Sequence, residues 1–261
     1  MTDDNGTPND TSDDWFYYYV PVKDKASEAA GQDPFAIGVA KSKSPLGPWK
    51  DAIGKPLLTT SQTRIETIDP AFFVDEDGTG YLHFGTFGTQ LAIKMKKDAT
   101  TGRTSYTETE TKADGTTPNL HTMKDADNNA NGPKGFFEAA WVFRKGDTYY
   151  NVYDGGKPGS GTATCVESNY QACIQYSTSD SPLGPWKYQG VIVPSGSATT
   201  MHPSVLQFGD KWYVTYHTGD KEGGTDFRRA VCIDEVDWTA DGQMTSTAHP
   251  TKAEKTQPPP T

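Results

Sequence analysis

Residues 137–153 read FEAAWVFRKGDTYYNVY, which is an apolar strand, a turn containing Gly and Asp, and an aromatic strand. This order predicts a β-hairpin, because the turn residues supply a tight reversal between two strands. The same order recurs at 68–84 (IDPAFFVDEDGTGYLHF) and at 201–216 (MHPSVLQFGDKWYVTY). Corresponding positions in the three copies are 69 and 64 residues apart, so one structural unit repeats along the chain.

The repeat extends beyond the hairpins. A fourth aromatic strand, residues 15–20, lies one period upstream, and a third strand follows each hairpin. The predicted third strands cover residues 35–40, 90–95, 172–176 and 227–233. Two of them run into the same phrase, SPLGPW, at 44–49 and 181–186, and each phrase precedes an outer strand, at 55–58 and 190–194. Four antiparallel strands in each repeat are typical of β-propeller blades, so we predict an all-β propeller with about four blades.

The segments outside the repeat set the predicted domain limits. Residues 1–14 are Asp, Asn, Thr and Ser in large part and are predicted to be a disordered N-terminus. The propeller is predicted to span residues 15–250, and residues 251–261 are predicted to form a linker or tail. Within the propeller, residues 98–135 are polar and rich in Gly, Asn and Thr, which predicts a loop between blades.

The composition excludes two classes of partner. The chain has 261 residues, with 24 Lys and Arg against 34 Asp and Glu, which gives a net charge of −10. An acidic chain is poorly suited to nucleic acid, since phosphate contacts need clustered basic side chains. No stretch approaches the roughly 18 consecutive apolar residues of a membrane-spanning helix. We therefore expect neither nucleic acid nor membrane as a partner.

Three cysteines are too few for a disulfide scaffold. Cys165 and Cys173 flank a short polar loop, so a local disulfide is predicted, with two free thiols as the alternative. Cys232 lies in an apolar run and is predicted to be a buried thiol. A disulfide favours an extracellular location. Residues 1–14 nevertheless lack the basic and apolar segments of a signal peptide, so either the protein is not secreted or the chain lacks its true beginning.

Equivalent positions of the repeat hold three ionisable residues, Asp69, Glu138 and His202. The innermost strands of a propeller surround its axis and point the same way, so these side chains are predicted to converge at one end of that axis. Two carboxyl groups around one pocket are the working parts of glycoside hydrolysis, as an acid and as a base or nucleophile. The alternative is that Asp69 and His202 form strand-entry turns before proline and that Glu138 is a solvated rim residue.

The chain resembles the family 43 glycoside hydrolases, the five-bladed propellers that include β-xylosidases, α-L-arabinofuranosidases and arabinanases. The resemblance runs from Trp15 to Trp238. It is carried by these phrases taken together: GVAKSKSPLGPW (38–49), IDP (68–70), DEDG (75–78), FEAAW (137–141), YSTSDSPLGPW (176–186), HPSV (202–205) and FRRAV (227–231).

The resemblance implies a role for each matching residue. Glu138 would be the general acid, and Asp69 would orient that acid and raise its pKa. His202 would lie on the axis beneath the sugar pocket, in some members beside a bound calcium ion. No cofactor is required, and calcium, held by His202 through a water molecule, is the one ion that the resemblance suggests.

Further residues are implied to contact the substrate. Arg229, and with less support Arg228, match the arginine that reaches the sugar in this family. Trp141 is the aromatic residue that we assign to the same surface. The expected substrates are arabinose- or xylose-containing plant cell-wall polysaccharides or oligosaccharides, cleaved by an inverting route.

One part of the family pattern is missing from the sequence. The general base of the family is an Asp on the innermost strand of the first blade, and no such strand is present. Asp33 precedes a proline, but it enters a third strand, which argues against that role. We therefore expect the chain to lack the first blade and the inner strand of the second, as a fragment of a longer secreted enzyme or a truncated gene product would.

Two other functions compete with an active glycosidase. A catalytically impaired propeller that binds sugar would keep the pocket without the base. A fructosidase of the related five-bladed propellers would place a cysteine after the acid, and Ala139 follows Glu138 here. The second alternative is therefore disfavoured by the sequence, whereas the first stays open.

Overall fold

Four antiparallel β-sheets follow one another along the chain. They are seen in a computed structural model that describes residues 1–155, 172–194 and 199–246. Each sheet is built from consecutive strands, so every sheet is one repeat of the sequence pattern. This arrangement confirms the prediction of an all-β propeller with four blades.

The first two sheets contain five strands each. The first comprises β1 (Thr2–Asp3), β2 (Trp15–Lys23), β3 (Phe35–Ser42), β4 (Lys50–Asp51) and β5 (Leu58–Thr59). The second comprises β6 (Ala71–Val74), β7 (Gly80–Phe84), β8 (Leu91–Lys97), β9 (Thr104–Thr109) and β10 (Leu120–Thr122). Two short helices lie in connections: α1 (Lys25–Ala29) joins β2 to β3, and α2 (Thr60–Thr63) lies between the first and second sheets.

The third and fourth sheets contain four strands each in sequential order. The third comprises β11 (Phe136–Lys145), β12 (Thr148–Gly155), β13 (Cys173–Ser179) and β14 (Lys187–Val193). The fourth comprises β15 (Ser204–Phe208), β16 (Lys211–Thr218), β17 (Ala230–Trp238) and β18 (Met244–Ser246). The three predicted hairpins are β6–β7, β11–β12 and β15–β16, each with antiparallel pairing.

Three apolar clusters lie where neighbouring sheets face each other. Ile37 of the first sheet packs with Leu82 and Phe84 of the second. Val152 of the third sheet belongs to a cluster with Val214 of the fourth, and a smaller cluster joins the second and third sheets. Burying apolar area at each interface stabilises the fold by about 25 cal/mol per Å². The interfaces therefore hold the blades around a common axis.

The structure differs from the sequence prediction in two segments, one between blades and one at the N-terminus. Residues 98–135, predicted as a loop, contain β9 and β10, which both pair with β8. Threonine-rich β9 has the β-branched residues that favour strands, and its Tyr106 stacks on Tyr17 of the first sheet. Residues 1–14, predicted to be disordered, contain β1, which pairs with Trp15 and Phe16, because β2 offers an edge there.

Other predictions about the chain lie beyond what the structure describes. The limit between propeller and tail at residue 250 and the partner of the predicted disulfide, Cys165, lie outside the described residues. Cys232 is a free thiol and is partly rather than fully buried. Among the described residues, no helix is long and apolar enough to cross a membrane.

The four sheets meet at a central cavity of about 400 Å³. Its lining includes Tyr18 of the first sheet, Trp141 on β11, and two of the predicted site residues, Asp69 before β6 and His202 before β15. Residues that are far apart in sequence therefore meet at the axis, as the repeat predicts.

Candidate active site

The entries to the three innermost strands have strained backbones. Asp69, Ala139 and His202 have φ values of 57°, 56° and 47°, in the left-handed region. Non-glycine residues rarely adopt this conformation, which costs on the order of 1–3 kcal/mol and is found most often at functional sites. Next to Ala139, the pairing of β11 with β12 shifts between Glu138 and Trp141, which is a β-bulge. The three strands thus have distorted backbones near the axis, and the distortions at Asp69 and His202 lie in the wall of the cavity.

Glu138 is placed by the bulge and by one hydrogen bond. The hydroxyl Oγ1 of Thr86, from the loop after β7, donates to Oε2 of Glu138 at 2.8 Å. Burial raises the pKa of Glu138 above its ordinary value, and the charge of Asp69 raises it further. The Thr86 hydrogen bond and the charges of His202 and Arg229 act in the opposite direction. The net effect retains the carboxyl proton to a higher pH, as a general acid requires.

The pKa of Asp69 is raised strongly. Burial, followed by the charge of Glu66, raises the pKa of Asp69 to about 6, while Arg229 and the backbone N–H of Ala139 lower it. Its Oδ1 lies 3.8 Å from Nδ1 of His202. The charge of Asp69 also acts on Glu138, so the structure brings the three repeat-equivalent residues together.

His202 lies at the wall of the central cavity. Half of the His202 side-chain surface is accessible from the cavity. Burial by the surrounding protein atoms nevertheless lowers the pKa of His202 below its ordinary value. The charge of Glu138 raises the pKa of His202, and that of Arg229 lowers it further. The imidazole therefore favours the neutral form, in which one ring nitrogen donates a hydrogen bond and the other accepts one.

The two candidate arginines differ in their surroundings. Arg229 directly precedes β17, and its Nη2 donates to Oγ1 of Thr200 at 3.3 Å. The positive charge of Arg229 lowers the pKa of both Asp69 and Glu138, which places it at the site. The guanidinium of Arg228 instead lies against Gly223. Of the two arginines, Arg229 is the one that the fold brings to the carboxyl groups.

Trp141 lies on the axis side of β11, three residues beyond Glu138. Its indole N–H donates to the carbonyl oxygen of Val205 at 2.8 Å and so ties the third sheet to the fourth. Its ring also lines the central cavity. The structure therefore gives Trp141 a packing role between blades, and a substrate contact for this residue stays a prediction.

The structure adds three residues that the sequence analysis did not select: Thr86, Glu66 and Asp154. Thr86 contacts Glu138 as described above, and the charge of Glu66 acts on Asp69. Asp154, at the end of β12, is fully buried and accepts hydrogen bonds from the backbone N–H groups of Met201 and His202. Burial raises the pKa of Asp154 well above its ordinary value, and those two N–H groups oppose the rise. A carboxyl group at the end of an aromatic strand is an unusual feature that could have indicated Asp154.

The described residues of the site lack a cluster of metal-binding side chains. Across the described ranges 1–155, 172–194 and 199–246, no three His, Cys, Asp or Glu side chains are grouped closely enough to bind one. Asp69 and His202 approach each other but have no third such ligand. These residues alone do not form a calcium site.

The sequence of the chain matches a known protein family. A sequence profile of the Glycosyl hydrolases family 43 matches residues 10–244. The chain belongs to this family, and the propeller and the paired carboxyl groups are consistent with that membership. A xylosidase/arabinosidase of Bacteroides ovatus is 28% identical over 247 residues, which cover 88% of this chain and 68% of that protein.

A second relative is the arabinoxylan arabinofuranohydrolase of Bacillus subtilis (strain 168), which is 32% identical over 190 residues. That match covers 69% of this chain but 35% of the relative. The chain thus spans about two thirds of the first relative and about a third of the second.

Solved structures of family 43 glycoside hydrolases have a similar fold. A family 43 β-xylosidase/α-arabinofuranosidase from a compost microbial metagenome, in complex with xylotriose and in a calcium-free form, has a TM-score of 0.65 and 26% identity. The match covers 90% of this chain and 70% of that one. The Bacillus subtilis arabinoxylan arabinofuranohydrolase, in complex with cellotetraose, also has a TM-score of 0.65 and 26% identity, with 90% and 47% covered.

Proposed function

We propose that this protein is a glycosidase acting on arabinose- or xylose-containing plant polysaccharides or oligosaccharides. The observation that carries the proposal is the convergence of Glu138, with its raised pKa, and Asp69 at one end of the propeller axis. Relatives named for action on xylosides, arabinosides and arabinoxylan support this substrate class. Cell-wall substrates imply an extracellular location, which is part of the proposal.

In this mechanism Glu138 protonates the glycosidic oxygen of the leaving group. Asp69 raises the pKa of that acid through its charge, while the backbone N–H of Ala139 lowers the pKa of Asp69. Arg229 and His202 bind sugar hydroxyl groups at the cavity. In the inverting route a second carboxylate activates a water molecule on the opposite face of the sugar ring, with the two carboxyl groups about 6.5–9.5 Å apart. No step requires calcium.

The water-activating carboxylate is the incomplete part of the mechanism. In the first sheet, β1 carries one carboxylate, Asp3, and this group is held in an ion pair by Arg103. Asp33 is bound to its own loop through the N–H of Phe35. We therefore include in the proposal that this chain does not supply the general base.

A second candidate function follows from the same observation. A propeller with the acid and the sugar pocket but without a base would bind oligosaccharides and turn them over slowly. Losing a general base typically costs about 10²–10⁴ in rate. A catalytically impaired sugar-binding propeller is therefore the alternative.

One experiment tests whether the chain binds sugars and whether it cleaves them. The purified 261-residue chain is assayed on aryl α-L-arabinofuranoside and aryl β-xyloside, and its binding of xylotriose and arabinotriose is measured by calorimetry. We expect binding with little turnover. Turnover at ordinary enzyme rates by a monomer would show that a base lies within the chain, and NMR of the first product anomer would then test inversion. Neither binding nor turnover would contradict both functions.

Glu138→Gln is the matched test of the acid. In a version of the protein that turns over glycosides, this variant should lose about 10²–10⁴ in kcat on an unactivated glycoside. It should lose far less on an aryl glycoside with a good leaving group, because that group needs no proton. Equal losses on both substrates would count against the acid role of Glu138.

A further inference from the structure

Asp154 is a buried carboxyl group that the mechanism above does not use. It lies at the end of β12, paired with Glu138 in the β11–β12 ladder, and none of its surface is exposed. Its Oδ2 accepts the N–H of Met201 at 2.8 Å and that of His202 at 3.0 Å, and its Oδ1 lies 3.1 Å from the same His202 nitrogen. One side chain of the third sheet thus holds two successive amides at the entry to the fourth.

Those two amides belong to the strained turn. His202 has a left-handed φ of 47°. It precedes Pro203, and a proline disfavours helical backbone conformations in the residue before it. Successive N–H groups beside a left-handed residue form a concavity that favours an anion. The side-chain oxygens of Asp154 occupy this concavity and accept both N–H groups, so they offset the strain at His202.

The turn controls where the imidazole lies. With its backbone held by Asp154, His202 places Nδ1 3.8 Å from Oδ1 of Asp69, across the central cavity. A displacement of about 1 Å at a site can cost on the order of 10²-fold in rate. The orientation of His202 therefore matters for any sugar bound at Asp69 and Glu138.

We propose that Asp154 is a positioning residue whose carboxyl group fixes the left-handed turn at His202 and thereby places the imidazole against Asp69 and the sugar pocket. The part of this inference that concerns sugar rests on the proposed function. The part that concerns the turn depends only on the hydrogen bonds of Asp154. The two parts can therefore be tested separately.

Asp125 provides a matched control. It is also a buried aspartate, and its Oδ1 accepts two successive backbone N–H groups, those of Asp127 at 2.8 Å and Asn128 at 3.1 Å. It lies in the connection before the third sheet, next to Trp186, and holds its own loop rather than the turn at His202. Substituting Asp125 should therefore reduce stability without moving His202.

The experiment compares Asp154→Leu, Asp154→Asn and Asp125→Leu with the wild-type chain. Three quantities are measured: the position of the His202 imidazole by crystallography, hydrogen exchange of the His202 amide by NMR, and the Kd for xylotriose and arabinotriose. We expect Asp154→Leu to move the imidazole by about 1 Å or more and to weaken trisaccharide binding by about ten-fold or more. Asp154→Asn keeps an acceptor oxygen and should show smaller changes in all three.

Two results would overturn the proposal. The first is an Asp154→Leu variant with an unmoved imidazole and unchanged amide exchange. The second is an Asp125→Leu variant that weakens trisaccharide binding as much as Asp154→Leu does. If Asp154→Leu does not fold, Asp154→Asn carries the test, and its His202 amide should exchange about ten-fold faster because Asn has one acceptor oxygen where Asp154 has two. An unchanged exchange rate would then contradict the proposal.

Failure of the proposed function gives a different result. If neither trisaccharide binds the wild-type chain, the sugar-binding role of the pocket is contradicted. The imidazole position and the amide exchange still decide whether Asp154 holds the turn.

Discussion

The hydroxyl of Thr86 donates a 2.8 Å hydrogen bond to Oε2 of Glu138, across the interface between the second and third sheets. This bond stabilises the ionised form of the carboxyl group and so lowers its pKa, against the rise caused by burial and Asp69. Two neighbouring blades thus set the protonation of the proposed acid together. Blade packing and acid strength are linked through one side chain.

Thr86→Val should raise the pKa of Glu138, because the substitution removes a donor that favours the carboxylate. The measurement is a titration of the Glu138 side-chain carbonyl carbon by NMR, which does not depend on turnover. Thr218→Val, at another buried threonine in the fourth sheet, is the control and should leave the titration unchanged. A Glu138 pKa that falls, or stays the same, in Thr86→Val would contradict the assigned role of the hydrogen bond.

Asp69→Asn should change how stability depends on pH. The pKa of Asp69 is raised to about 6, so the folded state binds its proton more tightly than the unfolded chain does. The contribution of this group to the free energy of unfolding therefore falls as the pH rises from about 4 to about 6, by about 3 kcal/mol in all. We expect Asp69→Asn to lose this fall, as measured by urea unfolding at pH 4 and pH 7.

Asp77 is a control of opposite sign for that experiment. The backbone N–H of Thr79 lowers the pKa of Asp77, so its contribution to stability is present at neutral pH and is lost on acidification. Asp77→Asn should therefore reduce stability at pH 7 more than at low pH. If both variants shift in the same direction, the assignment of the Asp69 pKa is wrong.

Arg229→Met should weaken oligosaccharide binding, whereas Arg228→Met should not. A hydrogen bond to a charged group is worth about 1.5–3 kcal/mol, which corresponds to a loss of about ten-fold or more in affinity for xylotriose or arabinotriose. Arg229→Met should also raise the pKa of Asp69 and Glu138, since its charge lowers both. Equal effects of the two substitutions on calorimetric affinity would contradict the distinction between the arginines.

The outer face of the fourth sheet should drive self-association of the chain. Val231 and Ile233 on β17 are 79% and 62% exposed, and Phe208 on β15 of the same sheet is also exposed. Exposed apolar faces of this kind favour association. We expect the 261-residue chain to be oligomeric or poorly soluble, and a Val231→Lys, Ile233→Lys double variant to shift it towards monomer in analytical ultracentrifugation. Asp237→Lys on the same strand is the control, and a monomeric wild type would contradict the expectation.

The sequence pattern predicted some parts of the fold more closely than others. Strands with alternating apolar and aromatic residues were placed within a few residues, as the match of β11 (Phe136–Lys145) to the predicted strand shows. The prediction failed for β9, whose Thr-Ser-Tyr-Thr-Glu-Thr sequence is polar throughout. Its strand conformation depends on pairing with β8 and on stacking between Tyr106 and Tyr17, and neither contact has a local signal.

The spacing of strands along the chain is enough to predict the propeller repeat and the equivalence of Asp69, Glu138 and His202, because a regular spacing brings equivalent positions to one end of a common axis. The side chains that support these three residues are set by the packing of the sheets. Thr86 is 52 residues from Glu138, and Asp154 is 48 residues from His202. Hydrogen bonds between neighbouring blades depend on how two sheets pack against each other, and that packing has no period along the chain from which it can be read.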